Sequence, residues 1–183
     1  LINEAALVIW GTHFFAATFS AIAGATLTDK IQKRTTFLVF WMTFGIISSL
    51  ILVLVDSANI LDVLVISILF GVSFGLGLPA SMGYFADSTS VENRAKLGGL
   101  IIFVSGLGTF LLGMTAVNNI ILQALTLAIW RESGLIIFLI INPSQEIAPK
   151  RRSVSFTSIL SQRSFILYLI PWIMFSLVNY LSL

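Results

Sequence analysis

Gly24-Ala25-Thr26-Leu27-Thr28-Asp29-Lys30-Ile31-Gln32-Lys33-Arg34 lies between two long apolar runs and gathers four charged side chains, Asp29, Lys30, Lys33 and Arg34. Only 10% of the chain is charged and 57% is hydrophobic, with a mean hydropathy of +1.02. A soluble domain is about 45–50% apolar, so the excess points to lipid as the solvent. In such a chain, a charge cluster between apolar runs marks the point where the polypeptide leaves the bilayer and turns back. The plainest role for the stretch is a solvated basic turn that sets orientation.

Working outward, a helix needs about 20 apolar residues to cross about 30 Å of hydrocarbon. Six stretches reach that length: 5–28, 36–55, 61–85, 97–117, 120–141 and 164–183. They are too long and too continuous for barrel strands, which alternate polar and apolar residues over about ten positions. A helix also satisfies every backbone polar group internally, as lipid requires. The expected fold class is therefore all-α, a polytopic membrane helical bundle. The turns alternate in charge: Lys30, Lys33 and Arg34, then Asp56 and Asp62, then Arg94 and Lys96, then none, then Lys150, Arg151, Arg152 and Arg163. Basic turns face the cytoplasm, which puts 29–35, 86–96 and 143–163 inside, in an integral protein of the cell membrane. Residues 1–4 carry no Lys or Arg and fall outside, so an earlier span is expected. With its last residues inside an apolar run, the chain reads as an internal piece of a longer protein.

Absences narrow the chemistry. There is no Cys and one His, which excludes disulfide frameworks, thiolate metal sites, cysteine nucleophiles and multi-histidine metal sites. The first apolar run has no basic n-region and no small-residue cleavage site, so it does not read as a signal peptide. No His-Glu-x-x-His pair, paired-aspartate signature or Gly-x-Ser-Gly stretch appears, so an enzyme is not expected and no cofactor or metal is implied. The expected partner on these grounds is the lipid bilayer, not nucleic acid.

Small residues recur where helices would meet. Ala16, Ser20 and Gly24 repeat along the first span, and Ala17, Ala21 and Ala25 form a second stripe beside them. Gly71, Gly75 and Gly77 precede Pro79 in the third span, while the fourth carries Gly98, Gly99, Gly106, Gly108 and Gly113. Such spacing lets membrane helices approach closely and predicts a compact bundle. The boundary in the chain is 143–163, opened by Pro143 and Pro149 and carrying the run Lys150–Arg152. Phe156, Ile159, Leu160 and Arg163 fall on one helical face there, which suits a short amphipathic helix on the inner leaflet or an ordinary basic linker. Thr89-x-x-Glu92 fits a capping box, with Arg94 and Lys96 expected at the lipid interface.

The first turn also carries a family pattern. Ala25-x-Leu27-x-Asp29-Lys30-x-Gln32-Lys33-Arg34 resembles the cytoplasmic loop motif of the major facilitator superfamily, Gly-x-Leu-x-Asp-Arg-x-Gly-Arg-Arg, found between its second and third transmembrane helices. Ala25 and Gln32 stand where the motif has glycines. In the third turn, Asp87 followed by Arg94 looks like the family's acidic and basic pair between helices four and five. The long connection then corresponds to the family's central loop. The resemblance implies a transporter of two six-helix halves, of which this chain would hold about six of twelve helices. Residues 1–142 would be helices two to six, 143–163 the central loop, and 164–183 the first helix of the C-terminal half. It implies transport of a small-molecule solute by alternating access, with a coupling ion as a further partner. It also implies a cytoplasmic gating set of Asp29, Lys30, Lys33, Arg34, Asp87 and Arg94. Lys30, Lys33 and above all Arg34 suit contact with lipid phosphate as an alternative, and Asp87 suits a helix cap. Ser67 stands where many proton-coupled members carry Arg, four residues before a Gly. Leu107 follows Gly106 where drug–proton antiporters have Pro.

Polar groups inside the spans are the candidates for a solute cavity. Arg131 and Glu132 lie near the middle of their span, where charged groups are rare and functional. Consecutive residues point about 100° apart on a helix, so the two do not face each other. Gln123, Trp130 and Gly134 share a stripe, with Arg131 beside it and Glu132 opposite. Arg131 is expected to line the cavity with Trp130 and Gln123, or else to pair with a carboxylate in the bundle. His13 reads as a helix–helix hydrogen-bonding residue or a proton relay. Pro171 is expected to kink the last span, with Trp172 and Asn179 facing the cavity or, equally, Tyr168, Trp172 and Tyr180 serving as ordinary packing. The competing reading is a transporter-like sensor or a channel without active translocation.

Overall fold

The computed structural model describes residues 4–31, 34–56, 58–115, 119–141, 161–163, 165–167 and 170–171. The chain divides into two units, 1–148 and 149–183. The first unit contains α1 (Glu4–Lys30), α2 (Arg34–Ile51), continued by a 3-10 turn at Leu52–Leu54, α3 (Ile60–Ser88), α4 (Val91–Thr115) and α5 (Ile120–Ile141). These five helices are long and apolar enough to cross a membrane. The shortest span, Thr35–Leu54 on α2 and its 3-10 turn, has 20 residues, about 30 Å at 1.5 Å per residue, sufficient for the hydrocarbon core. In the second unit the Gln162 carbonyl accepts from the Phe165 and Ile166 amides at 3.0 and 3.2 Å, starting a helical turn. Most of the sixth apolar run, and with it Trp172 and Asn179, lies outside the described residues, as does most of 143–163.

The turns are shorter than the apolar runs imply. Asp29 and Lys30 belong to the end of α1 and Arg34 begins α2. The expected loop at 86–96 shrinks to Thr89 and Ser90, because α3 continues past Phe85 to Ser88 and α4 begins at Val91. Thr89 does not open a capping box. Its hydroxyl instead donates back to the Phe85 carbonyl at 2.7 Å and closes α3, while the Ser90 carbonyl accepts the Asn93 and Arg94 amides that start α4. Arg94 also turns back onto the end of α3. Its guanidinium donates to the carbonyls of Ala86 (2.6 Å) and Thr89 (3.2 Å). A cation on the otherwise unpaired carbonyls of a helix C-terminus offsets its negative dipole end.

The acidic turn before α3 is built by local caps. Asn59 accepts from the Leu61 amide at 3.1 Å. Asp62, in the first turn of α3, accepts from the Asn59 side chain at 3.0 Å and the Asp56 amide at 3.2 Å. Carboxylates there sit at the favourable positive end of the α3 dipole. Asn119 does the same for α5, accepting from Ile121 and Leu122 at 2.9 and 3.2 Å.

Side-chain contacts set the helix directions. His13, Ala17 and Gly24 of α1 meet Gly71, Gly75 and Leu76 of α3 in rising order, so these two helices run parallel. On α2, Gly45 meets Ser73 and Arg131, whereas Trp41 meets Gly77 and Phe37 and Leu38 cluster with Ala80 and Phe138. Contacts that descend α2 therefore ascend α3 and α5, and α2 is antiparallel to both. The α1–α3 seam is the small-residue stripe of the sequence. A Cβ on Gly71, Gly75 or Gly24 would run into the α1 or α3 backbone. Close backbone approach of this kind supplies dispersion contact where lipid offers no hydrophobic driving force. The α4 glycines differ: Gly108 lies under the Trp130 indole, but Gly99, Gly106 and Gly113 have nothing within 4 Å.

Candidate functional site: a polar junction at mid-span

Arg131 lies halfway along α5, Gly45 halfway along α2, and Phe70 and Ser73 midway along α3. The folded chain brings these positions together. Arg131 Nη1 donates to the Gly45 carbonyl at 2.5 Å, and the guanidinium carbon sits 5.6 Å from the centre of the Phe70 ring. Arg remains charged in proteins, so the ring face gives it a cation–π partner. The position a Gly45 Cβ would take lies 3.2 Å from Arg131 Nη1 and 3.3 Å from Ser73 Oγ. A Cβ at 45 would press on both side chains, so Gly leaves room for the guanidinium against the main chain.

The surroundings on α2 are polar as well. Ser48 and Ser49 are fully buried, at 0% exposure, in a largely apolar helix. Ser48 donates to the Phe44 carbonyl at 2.8 Å and Ser49 to the Gly45 carbonyl at 3.0 Å. One turn along, the Trp41 indole fills the space above Gly77 and its Nε1 donates to the Ser73 carbonyl at 2.5 Å. The Gly45 oxygen thus receives Arg131 and Ser49 in addition to the bond that every carbonyl within an α-helix accepts.

The residues singled out from sequence fall into separate places. Arg131 faces α2 and α3, whereas Trp130 packs on Gly108 of α4 and is 54% exposed. Gln123 is half-buried nearer the start of α5, and Glu132 is exposed on a further face. The structure therefore does not gather Arg131, Trp130 and Gln123 around one point. His13 joins α1 to α3: its Nδ1–H donates to the Ser67 carbonyl at 3.1 Å, which places the proton on that nitrogen. Ser67 returns a bond to the Ile9 carbonyl at 3.2 Å, and Ser20 donates to the Gly71 carbonyl at 3.4 Å. Asp87 is exposed in the last turn of α3, and Arg94 caps that helix. Lys30 is exposed at the end of α1. The backbones of Asp29 and Arg34 are helical, but their side chains, and Lys33 entirely, lie outside the described residues.

Sequence reasoning missed Trp41, Gly45, Phe70 and Ser73. One signal was present, the Ser48-Ser49 pair in an apolar run, because two adjacent hydroxyls in a span imply at least one protein-facing side. No family model, curated protein or solved structure matches the chain.

Proposed function

We propose that the chain is part of a solute carrier of the major facilitator type, moving a small solute across a cell membrane by alternating access. The observation that carries this reading is the polar junction at the centre of the bundle. An ionisable group at mid-span is costly in lipid and marks a transport path or a coupling site by default. Carriers place their sites near the bilayer midplane, between helices that rearrange. The loop pattern from Ala25 to Arg34 and the Asp87–Arg94 pair add the family resemblance. In this reading the turns at 31–33 and 89–90 face the cytoplasm and the acidic turn with Asp56 faces outward.

The capped α3–α4 turn fits a part that must move as one piece. Arg94 holds the end of α3 and the start of α4 together, so a shift of α3 would be passed to α4. The test is substrate accumulation by the full-length protein in proteoliposomes, with a panel of labelled small solutes and an imposed ion gradient. Saturable, gradient-dependent uptake supports a carrier. Conductance far above carrier turnover would replace this reading with a channel, and binding without accumulation would replace it with a sensor.

A further inference from the structure

The Arg131 guanidinium is incompletely matched. It presents five N–H donors and a permanent charge, and its contacts are one carbonyl oxygen and one ring face. A carbonyl is a neutral dipole, and the Gly45 oxygen is already shared with Ser49. No ion pair to Arg131 occurs among the described residues. Glu132, its chain neighbour, points about 100° away on the helix and is exposed. The other basic residues whose backbone is described in the first unit, Lys30, Arg34, Arg94 and Lys96, sit near helix ends and not in span centres. Mid-span therefore holds one cation with spare donors, beside the Ser73 hydroxyl across the Gly45 position.

We propose that Arg131, assisted by Ser73, anchors a single carboxylate of the transported solute. The proposal rests on the carrier reading and deepens it by naming the solute as a small monocarboxylate. The planar fork of a guanidinium matches a carboxylate with two parallel hydrogen bonds, and Lys lacks that geometry. A hydroxyl donor beside it completes the set. One cation matches one negative charge, so a polyanion would leave charge uncompensated in a region of low dielectric. Lipid headgroups lie about 15 Å from the centre of a 30 Å hydrocarbon layer, which leaves two sources of carboxylate: the solute, or an acidic side chain elsewhere in the full-length protein.

The experiment uses the full-length protein in detergent and measures thermal stabilisation by acetate, butyrate, lactate and benzoate, each against its neutral amide. At least one carboxylate should raise the melting temperature of the wild type while its amide does not. Arg131→Gln should abolish that shift, Arg131→Lys should weaken apparent affinity tenfold or more, and Ser73→Ala should weaken it severalfold. If no carboxylate stabilises the wild type, or if the shift survives in Arg131→Gln, the proposal is wrong. If Arg131→Gln fails to fold, Arg131→Lys decides, and unchanged affinity there also overturns it. Restoration of Arg131→Gln by neutralising a carboxylate elsewhere in the protein would identify a structural ion pair and overturn it too. Vesicle uptake separates the two layers. Carboxylate binding without uptake removes the carrier reading and keeps the site, whereas uptake retained in Arg131→Gln removes the site and keeps the carrier.

Discussion

Replacing Gly71 by Ala tests the seam between α1 and α3. The new Cβ would stand 3.0 Å from Ala16 Cβ and 3.2 Å from the Ala17 nitrogen, and closer still to the His13 carbonyl. Ordinary contact begins near 3.4 Å, and backbone on the far side cannot rotate away, so the helices must separate. Overpacking of this kind costs about 1–3 kcal/mol. Separation also strains three interhelical hydrogen bonds: His13 to Ser67, Ser67 to Ile9 and Ser20 to Gly71. At about 0.6 kcal/mol each in membranes, these add about 2 kcal/mol. Ala is the better helix former by about 1 kcal/mol, which leaves a net loss of about 2–4 kcal/mol. Equilibrium denaturation of the purified full-length protein in mixed micelles, titrated with SDS, measures it. The α4 variants Gly99→Ala and Gly106→Ala are the controls. With nothing within 4 Å of either position, each should be neutral or gain up to about 1 kcal/mol. A Gly71→Ala protein as stable as the wild type would refute the close approach of α1 to α3.

Two further outcomes are expected. Arg94→Ala removes the donors on the Ala86 and Thr89 carbonyls and should destabilise the α3–α4 turn by about 1–2 kcal/mol. Faster amide exchange at the start of α4, next to an unchanged α5, would register this, and equal exchange rates would count against the cap. Single cysteines at Lys30 and Asp56, introduced into a cysteine-free background, should be labelled by a membrane-impermeant maleimide from opposite sides of sealed vesicles. Labelling from one side would contradict the passage of α2 across the bilayer.

Much of the architecture is legible in the sequence. Apolar runs of 20 or so residues admit one solution in lipid, so helices at α1 to α5 follow from length and composition. The boundaries were less legible at charged ends. Glu92, Arg94 and Lys96 break hydropathy at the start of α4 but not the helix, because a helix carries charged side chains at its ends without loss of backbone bonds. The reversal of Thr89, from opening α4 to closing α3, arises because its hydroxyl reaches a carbonyl behind it as readily as an amide ahead. For the site, periodicity placed Arg131 and Glu132 on different faces, and the structure has them so.

Composition and periodicity alone thus determined the five membrane-length helices, roughly where they reverse, and that Arg131 lies halfway along its own. They did not determine which helix Arg131 faces, because residue spacing fixes angles within a helix and says nothing of the rotation of one helix against another. That rotation is set by fit. Gly71 and Gly75 let α3 sink onto α1, Trp41 fills the space over Gly77, and α5 turns until Arg131 meets the carbonyl that Gly45 leaves uncovered. Only the tertiary structure joins three helices into one polar junction, since Arg131, Gly45 and Ser73 are far apart in sequence and become neighbours through packing.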